Sequence, residues 1–384
     1  MHLFLNGVAS SAGGGLTYLR NVVPELAKRS GVLTTVALSE GYTGEFEALS
    51  NISCVTMHGS AGAMRRFWNE QTNLPRLIRD SGADVLISAG NFALRDAPLP
   101  QILLSGNSLY TSKDFIADLR SRGDYRLLLD TLGKGLFAKR SLTWADCTVA
   151  PSEAFAKELR DWAGVKVKTI HHGFDRERFF RDRNSLPEEV QREIDIAKDA
   201  LRLLFVSHYN YYRNFETLFR AIPILQGRMG SRRVKLFLTC KLDAGQNPGA
   251  YRTESASALV RKLNIADNVV ELGTVPYEQL HGLYRSCHIY TTPAYTETFA
   301  HPLIEAMASE LPVVASDLSV HQEVCGESAL YFERFSPQDL ARQIWKMAES
   351  QNIRRNFVAK GLARSRDFSW RNHVDQMLAL ARNL

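Results

Sequence analysis

Short β-rich apolar runs alternate with longer amphipathic stretches along this chain, in two consecutive series. The first series has runs at Leu3–Leu5, Thr35–Leu38, Val85–Ile87, Ile102–Leu104, Cys147–Ala150 and Val165–Ile170. The second has them at Leu203–Val206, Val234–Leu238, Val269–Leu272, Ile289–Thr291, Val313–Ala315 and Ala329–Tyr331. Helical spacing fills most of the gaps, as in Thr17–Arg29 and Phe215–Ile224. Strands alternating with helices predict parallel sheets with right-handed crossovers. The fold class expected is α/β, with two doubly wound Rossmann-like domains, and 384 residues suit two domains. The break falls within His171–Ala200, between the end of one series and the start of the next. Residues 1–178 are read as the first domain and 179–366 as the second. Ligands of open parallel sheets sit beyond the carboxyl ends of the strands. Two such sheets facing each other would make a cleft suited to joining two substrates.

Composition removes several classes of function. The five cysteines, Cys54, Cys147, Cys240, Cys287 and Cys325, are widely spaced and form no CxxC pair, which argues against a disulfide framework or a zinc site. They fit a reducing, cytoplasmic compartment. The sequon Asn51-Ile52-Ser53 carries no meaning there. The start, Met1-His2-Leu3-Phe4-Leu5-Asn6-Gly7, lacks the basic region and apolar core of a signal peptide. No run approaches the roughly 18 apolar residues of a membrane span, so any membrane contact is expected to be peripheral. The net charge of +6 suits plain solubility, phosphate-bearing ligands or an anionic membrane surface. No nucleic-acid-binding signature is present.

The first strand runs into a glycine-rich loop from Gly7 to Gly15, with a helix expected from about Leu16-Thr17. Glycines let the backbone approach a ligand, and free N–H groups at a helix start favour anions such as a diphosphate. Gly14 and Gly15 are the candidates. The spacing is neither GxGxxG nor Walker A, so a dinucleotide or P-loop site is not indicated, and a plain flexible loop stays open.

The most informative stretch is Pro293-Ala294-Tyr295-Thr296-Glu297-Thr298-Phe299-Ala300-His301-Pro302-Leu303-Ile304-Glu305. Pro302 suits a first helical turn, which places Glu297 in the preceding loop and Glu305 in that first turn. A carboxylate there is favoured by the helix dipole alone. It also suits sugar hydroxyls, because each oxygen accepts from two donors.

This stretch resembles the E-x(7)-E motif of retaining family-four glycosyltransferases, which have the GT-B fold. Leu311–Ser316 and Glu323–Ala329 match the family's continuation, and Ala150–Glu153 and His172–Asp175 match it in the first half. The family core is E-G-F-G-x-P-x-x-E; here Thr298 and Ala300 replace the glycines. Ser207–Phe215 aligns with the family's G-R-x(4)-K-G segment, with His208 at the arginine and Arg213 at the lysine. The resemblance implies that Arg213 and Gly14–Gly15 stabilise a departing diphosphate, with His208 beside them. It implies that Glu305 holds the donor ribose and Glu297 the sugar. Backbone and side chains of Phe299, Ala300 and His301 would line the donor pocket. Residues 367–384 resemble the family's C-terminal helix, which crosses back to the first domain.

Many members carry a histidine near the reacting sugar in the first domain. Here Gly106 or Asn107 takes that place, so Asn107 and Asn91 are the candidates for the acceptor side. Tyr125–Trp144 mixes Arg126, Lys134, Lys139 and Arg140 with leucines; it reads as a helix packed on the sheet or as a basic amphipathic surface touching anionic lipid.

The resemblance therefore implies a retaining transferase that moves a sugar from a nucleotide-diphosphate donor to a glycan or lipid-linked acceptor, in surface polysaccharide or lipopolysaccharide assembly. It would work in the cytoplasm, peripherally at the inner membrane face. Retention is ascribed to front-face attack, with a phosphate oxygen taking the acceptor proton. No DxD-type motif is evident, so neither metal nor cofactor is expected. A catalytically silent sugar-nucleotide-binding protein, or a nucleotide-sugar epimerase on the same fold, stays open.

Overall fold

The computed structural model describes residues 1–10, 13–57, 62–181, 185–243, 245–246 and 251–384. They form two compact units. The first comprises Met1–Ser112, Gly123–Gly173 and Ser369–Leu384; the second comprises Lys113–Arg122 and Phe174–Phe368.

The first unit is built on seven parallel strands: β1 (His2–Asn6), β2 (Leu33–Ser39), β3 (Ile52–Met57), β4 (Val85–Ser88), β5 (Gln101–Leu104), β6 (Cys147–Ala150) and β7 (Val167–Thr169). Their order is β3-β2-β1-β4-β5-β6-β7. Central β1 is a continuous apolar run, Leu3-Phe4-Leu5, because both of its faces are covered and buried. The edge strand β3 escapes sequence reading: its Ser53, Cys54 and Thr56 break the apolar run, and only Met57 is fully buried.

The helix Gly13–Ala27 buries Tyr18, Leu19, Val22, Val23 and Leu26 over the sheet. The C-terminal helix Trp370–Ala381 lays Trp370, Val374, Met377 and Leu378 into the same core. His373 Nδ1 donates to the His171 carbonyl at 2.8 Å, which leaves Nε2 to accept from the Tyr18 hydroxyl at 3.0 Å. Burial pushes the His373 pKa down to about 4, so the ring stays neutral in this role. Gly173 makes the return possible, since a Cβ there would lie 2.0 Å from the Trp370 nitrogen.

The second unit has six parallel strands: β8 (Leu201–Phe205), β9 (Val234–Leu238), β10 (Val269–Glu271), β11 (Ile289–Thr292), β12 (Val313–Ser316) and β13 (Ala329–Phe332), in the order β10-β9-β8-β11-β12-β13. Here the structure departs from the division at 178. The helix Lys113–Ser121, which lies inside the first series by sequence, belongs to the second unit. Its Phe115 is fully buried with its ring edge-on to Tyr212 at 6.2 Å. Its Asp118 accepts from the Tyr295 hydroxyl at 2.7 Å, and the following Arg122 pairs with Glu216 at 2.8 Å. Sequence order alone cannot reveal such an excursion, because the partners lie 94 and 177 residues away. Among the described residues, no helix is long and apolar enough to cross a membrane.

Candidate active site

In each unit the strand order reverses beside its first strand, between β1 and β4 and between β8 and β11. Loops part there and leave a crevice at the strands' carboxyl ends. Most of the residues singled out from sequence cluster at these two points.

At the second unit's reversal point, Arg213 ends a short turn after β8 and Glu297 lies in the loop after β11. Arg213 Nη1 donates to Glu297 Oε1, while Glu297 Oε2 accepts from the Thr298 N–H at 3.2 Å. The guanidinium also lies over the Tyr212 ring, 5.1 Å from its centroid. Its buried Nε has no hydrogen-bond partner among the described residues, and neither does buried His321 Nε2. An unsatisfied buried donor costs about 1–3 kcal/mol, so such atoms gather where a ligand can satisfy them. Burial, together with the charge of Arg213, pushes the His321 pKa down to about 3.

The two loops are fastened to each other. The Tyr295 N–H donates to the Tyr212 carbonyl at 3.1 Å. Asn214 Nδ2 donates to the carbonyls of Pro293 and Arg334, each at 3.0 Å. Asn214 holds a left-handed φ of 54° at the start of the helix Phe215–Met229. Asparagine tolerates that region better than most residues, which suits it to the position where the family pattern has glycine.

Ala300 likewise sits at a left-handed φ of 61°, immediately before the helix His301–Ala308. Phe299 is buried, with its ring 5.1 Å from His301 and 5.5 Å from Phe368, so its side chain is committed to packing. Glu305 falls past the first turn predicted for it, because the helix already begins at His301. The dipole therefore does not account for it. The carboxyl is buried, accepts from the Tyr284 hydroxyl at 2.8 Å, and is pushed up to about 7 by burial. His208 is exposed in the loop after β8.

The first unit holds a cavity of about 330 Å³ at its own reversal point. Loops after β1, β4 and β5 line it with Ser10, Gly15, Asn91 and Asn107. The helix expected from Leu16 starts at Gly13 instead, so Gly14 and Gly15 are its first turn, where unpaired N–H groups are intrinsic. Gly15 is tightly placed: a Cβ would meet the Ser10 side chain at 3.0 Å, and Ser10 would have to give way by a few tenths of an ångström. Ser11 and Ala12 lie outside the described residues. Asn91 Oδ1 accepts from the Gly106 N–H at 2.6 Å, and Asn107 Oδ1 from the Leu109 N–H at 3.1 Å. Asn91 keeps its amide NH2 as a further donor, and the Asn107 side chain also hydrogen-bonds Tyr110. Gly15 thus shares a cavity with the two asparagines, and Arg213 and Glu305 belong to the other unit.

Two family descriptions match the chain: Glycosyltransferase Family 4 over residues 12–178 and Glycosyl transferases group 1 over residues 187–364. The chain belongs to the family-four glycosyltransferases. This glycosyltransferase is 27% identical over 231 residues to D-inositol 3-phosphate glycosyltransferase 2 of Catenulispora acidiphila, a match that covers 59% of this chain and 53% of that protein. The chain thus spans about half the length of that relative. Sucrose-phosphate synthase from Thermosynechococcus elongatus superposes with a TM-score of 0.77 at 20% identity, covering 100% of this chain and 98% of the other. Anabaena HepE in complex with UDP-glucose does so with a TM-score of 0.73 at 16% identity, covering both chains fully. These likenesses establish the GT-B fold.

Sequence reasoning missed several groups of these candidate sites. Glu70 lines the first unit's cavity, where it accepts from Asn6 Nδ2 at 3.0 Å. Burial raises its pKa against that bond and the Arg66 charge. The signal was available: Glu70, Leu74 and Ile78 share one face at helical spacing, and an acid on a buried stripe asks for a reason. Tyr284, His321 and Asp118 carried no such mark.

Proposed function

We propose that this glycosyltransferase is a retaining, metal-independent enzyme that moves a hexose from a nucleotide-diphosphate donor to a glycan or lipid-linked glycan acceptor in surface polysaccharide or lipopolysaccharide assembly. The observation that carries the donor half is the Arg213–Glu297 pair, with the buried Arg213 Nε left over for a ligand atom. A diphosphate gains charge as the glycosidic bond breaks, and a fixed guanidinium lowers that barrier by stabilising the developing anion. Glu305 takes the ribose hydroxyls, and Glu297 orients the sugar. The HepE complex with UDP-glucose, on the same fold, supports a nucleotide-sugar donor.

The acceptor half is assigned to the first unit's cavity, whose Asn91, Asn107 and Glu70 are suited to sugar hydroxyls. In the front-face reaction, the acceptor oxygen bonds to the anomeric carbon on the side from which the diphosphate leaves. The acceptor proton passes to a phosphate oxygen, so no protein nucleophile is consumed. The test is transfer from a panel of nucleotide sugars with NMR of the product and EDTA present. The expected product keeps the donor's anomeric configuration, and EDTA leaves the rate unchanged. An inverted product or EDTA-sensitive turnover counts against the reading.

A further inference from the structure

The second unit carries a groove of about 590 Å³, lined mainly by the helices Lys113–Ser121, Phe215–Met229 and Glu254–Lys262. All of its lining residues belong to that unit, and Arg213, Glu297 and Glu305 are not among them. Arg122 donates from Nε to Asp118 and from Nη1 to Glu216 Oε1, each at 2.8 Å. The Tyr209 hydroxyl donates to the same Glu216 oxygen at 3.1 Å. Glu216 is 9% exposed, and its buried Oε2 has no hydrogen-bond partner among the described residues. The carboxyl torsion of a glutamate is broad, so Oε2 can turn toward the groove while Oε1 stays with Arg122. Native proteins satisfy nearly all buried acceptors. A spare carboxylate oxygen beside a groove therefore points to a ligand that brings a hydrogen-bond donor.

The rest of the groove says what else that ligand carries. Arg220 lies one helical turn beyond Glu216, and Lys262 lines the groove from the neighbouring helix. Both are exposed, and neither has an ion pair or hydrogen bond among the described residues. The helix dipole favours a cation in the last turn, where Lys262 sits, but it accounts for neither Arg220 nor Glu216 Oε2. Two unpaired cations lining one groove suit a phosphate, which accepts from both. At the other end Phe335 is 53% exposed, with one side of its ring 5.5 Å from Tyr295. Asn214 Nδ2 holds the Arg334 carbonyl at 3.0 Å, so Phe335 stands by the start of the helix that carries Glu216 and Arg220. The order along that helix is aromatic ring, carboxylate, cation, and the last two are about 6 Å apart along its axis.

We propose that this groove is an effector site for a phosphate monoester on a hydroxylated ring, the chemistry shared by sugar phosphates and nucleoside monophosphates. Arg220 and Lys262 hold the phosphate, a ring hydroxyl donates to Glu216 Oε2, and the flat face of the sugar or base lies on Phe335. A ligand held this way fastens the first turns of the helix Phe215–Met229, which begins two residues after Arg213. It also braces Asn214 and Tyr295, which line the groove and tie the Arg213 loop to the loop carrying Glu297. Occupancy therefore steadies the Arg213–Glu297 geometry from outside the reaction centre and raises turnover. The binding stands on its own; the effect on turnover rests on the transfer reading above.

The test is calorimetry on the full chain with saturating UDP present, so that the donor site is already filled. The probes are glucose 6-phosphate, AMP, inorganic phosphate and glucose. Glucose 6-phosphate or AMP is expected to bind at least tenfold more tightly than inorganic phosphate, and the better of the two identifies the source of the ring. Arg220→Gln/Lys262→Gln is expected to weaken that binding at least tenfold, with melting temperature, UDP affinity and basal kcat unchanged. Phe335→Ala is expected to weaken it at least threefold. The better probe should raise wild-type kcat at least twofold and leave kcat of the Arg220/Lys262 variant unmoved. Failure to bind UDP or to transfer sugar would remove the reading of the previous section while leaving the calorimetric result intact. The site is overturned if neither ester binds better than inorganic phosphate, or if the double variant binds both like wild type. Binding that leaves wild-type kcat unchanged overturns the effector role.

Discussion

Tyr284 donates its hydroxyl proton to Glu305 Oε2 at 2.8 Å, and both side chains are buried. That bond favours the charged carboxylate, yet burial outweighs it and pushes the pKa up to about 7. Tyr284 is held well above its ordinary range, first by burial and then by the Glu305 charge. One buried hydroxyl is not enough to solvate a carboxylate, so Glu305 stays proton-hungry near neutral pH.

The sign of the consequence follows from linkage. Between about pH 4.5 and 7 the folded protein keeps a proton at Glu305 that the unfolded chain has released. Glu305 therefore contributes stability that is full below the unfolded value and falls as pH rises through the folded value near 7. The contribution is on the order of 3 kcal/mol. Glu305→Gln should abolish this component and melt above wild type at pH 8, since its amide oxygen still accepts from Tyr284. The same variant should bind UDP about 10- to 100-fold more weakly, because charged hydrogen bonds typically contribute about 1.5–3 kcal/mol. Melting curves from pH 5 to 8 and calorimetry check both halves. Unchanged UDP affinity with raised stability would make Glu305 a structural residue only.

Arg213 and Glu297 call for a kinetic test. An interaction that strengthens during reaction lowers the barrier more than it improves ground-state binding. Arg213→Ala is expected to reduce kcat by about 100- to 1,000-fold and donor affinity by less. Arg213→Lys should recover much of the loss, as a point charge also suits phosphate without the bidentate fork. Steady-state kinetics below the melting temperature of each variant decides this, and wild-type turnover in Arg213→Ala ends the phosphate role.

Ala300 pays for its left-handed backbone, which costs a non-glycine residue about 1–2 kcal/mol. Ala300→Gly should therefore stabilise the enzyme, less whatever packing the buried methyl supplied, and raise the melting temperature by about 2–4 °C for a net 1 kcal/mol. A lower melting temperature would mean that the methyl's contacts outweigh the strain.

How far the sequence could be read depended on the range of the interactions involved. Fully covered strands such as β1 and β12 announce themselves as apolar runs, and Pro302 locates the helix that carries Glu305. The excursion of Lys113–Arg122 into the second unit was invisible, because its partners Tyr212, Tyr295 and Glu216 are defined only by the fold. The mutual pairing of Arg213 and Glu297 was hidden for the same reason: 84 residues separate them, and only the adjacency of β8 and β11 brings their loops together. The left-handed backbone of Asn214 and Ala300 lies between these extremes. Family glycines at both positions hint at it, but a single chain shows only the substitutes.

That excursion leads to the last prediction. Tyr295 lies in the loop carrying Glu297, and its hydroxyl donates to Asp118 Oδ2 at 2.7 Å while Asp118 Oδ1 accepts from Arg122 at 2.8 Å. Its backbone N–H holds the Tyr212 carbonyl, next to Arg213. Helix Lys113–Ser121 therefore anchors one end of a chain of bonds whose other end sets the Arg213–Glu297 geometry. Tyr295→Phe keeps the ring packing against Phe335 and removes only the hydroxyl. It should cost about 1.5–3 kcal/mol of stability, the usual range for a hydrogen bond to a charged group. Because a loosened support misplaces the reacting groups, kcat should also fall about tenfold or more, with donor KM little changed. Asp118→Asn still offers Tyr295 an acceptor and should be milder in both respects than Asp118→Ala. A purely structural bond would lower the melting temperature and leave kcat intact in all three variants, and kcat measured well below each melting point separates the two.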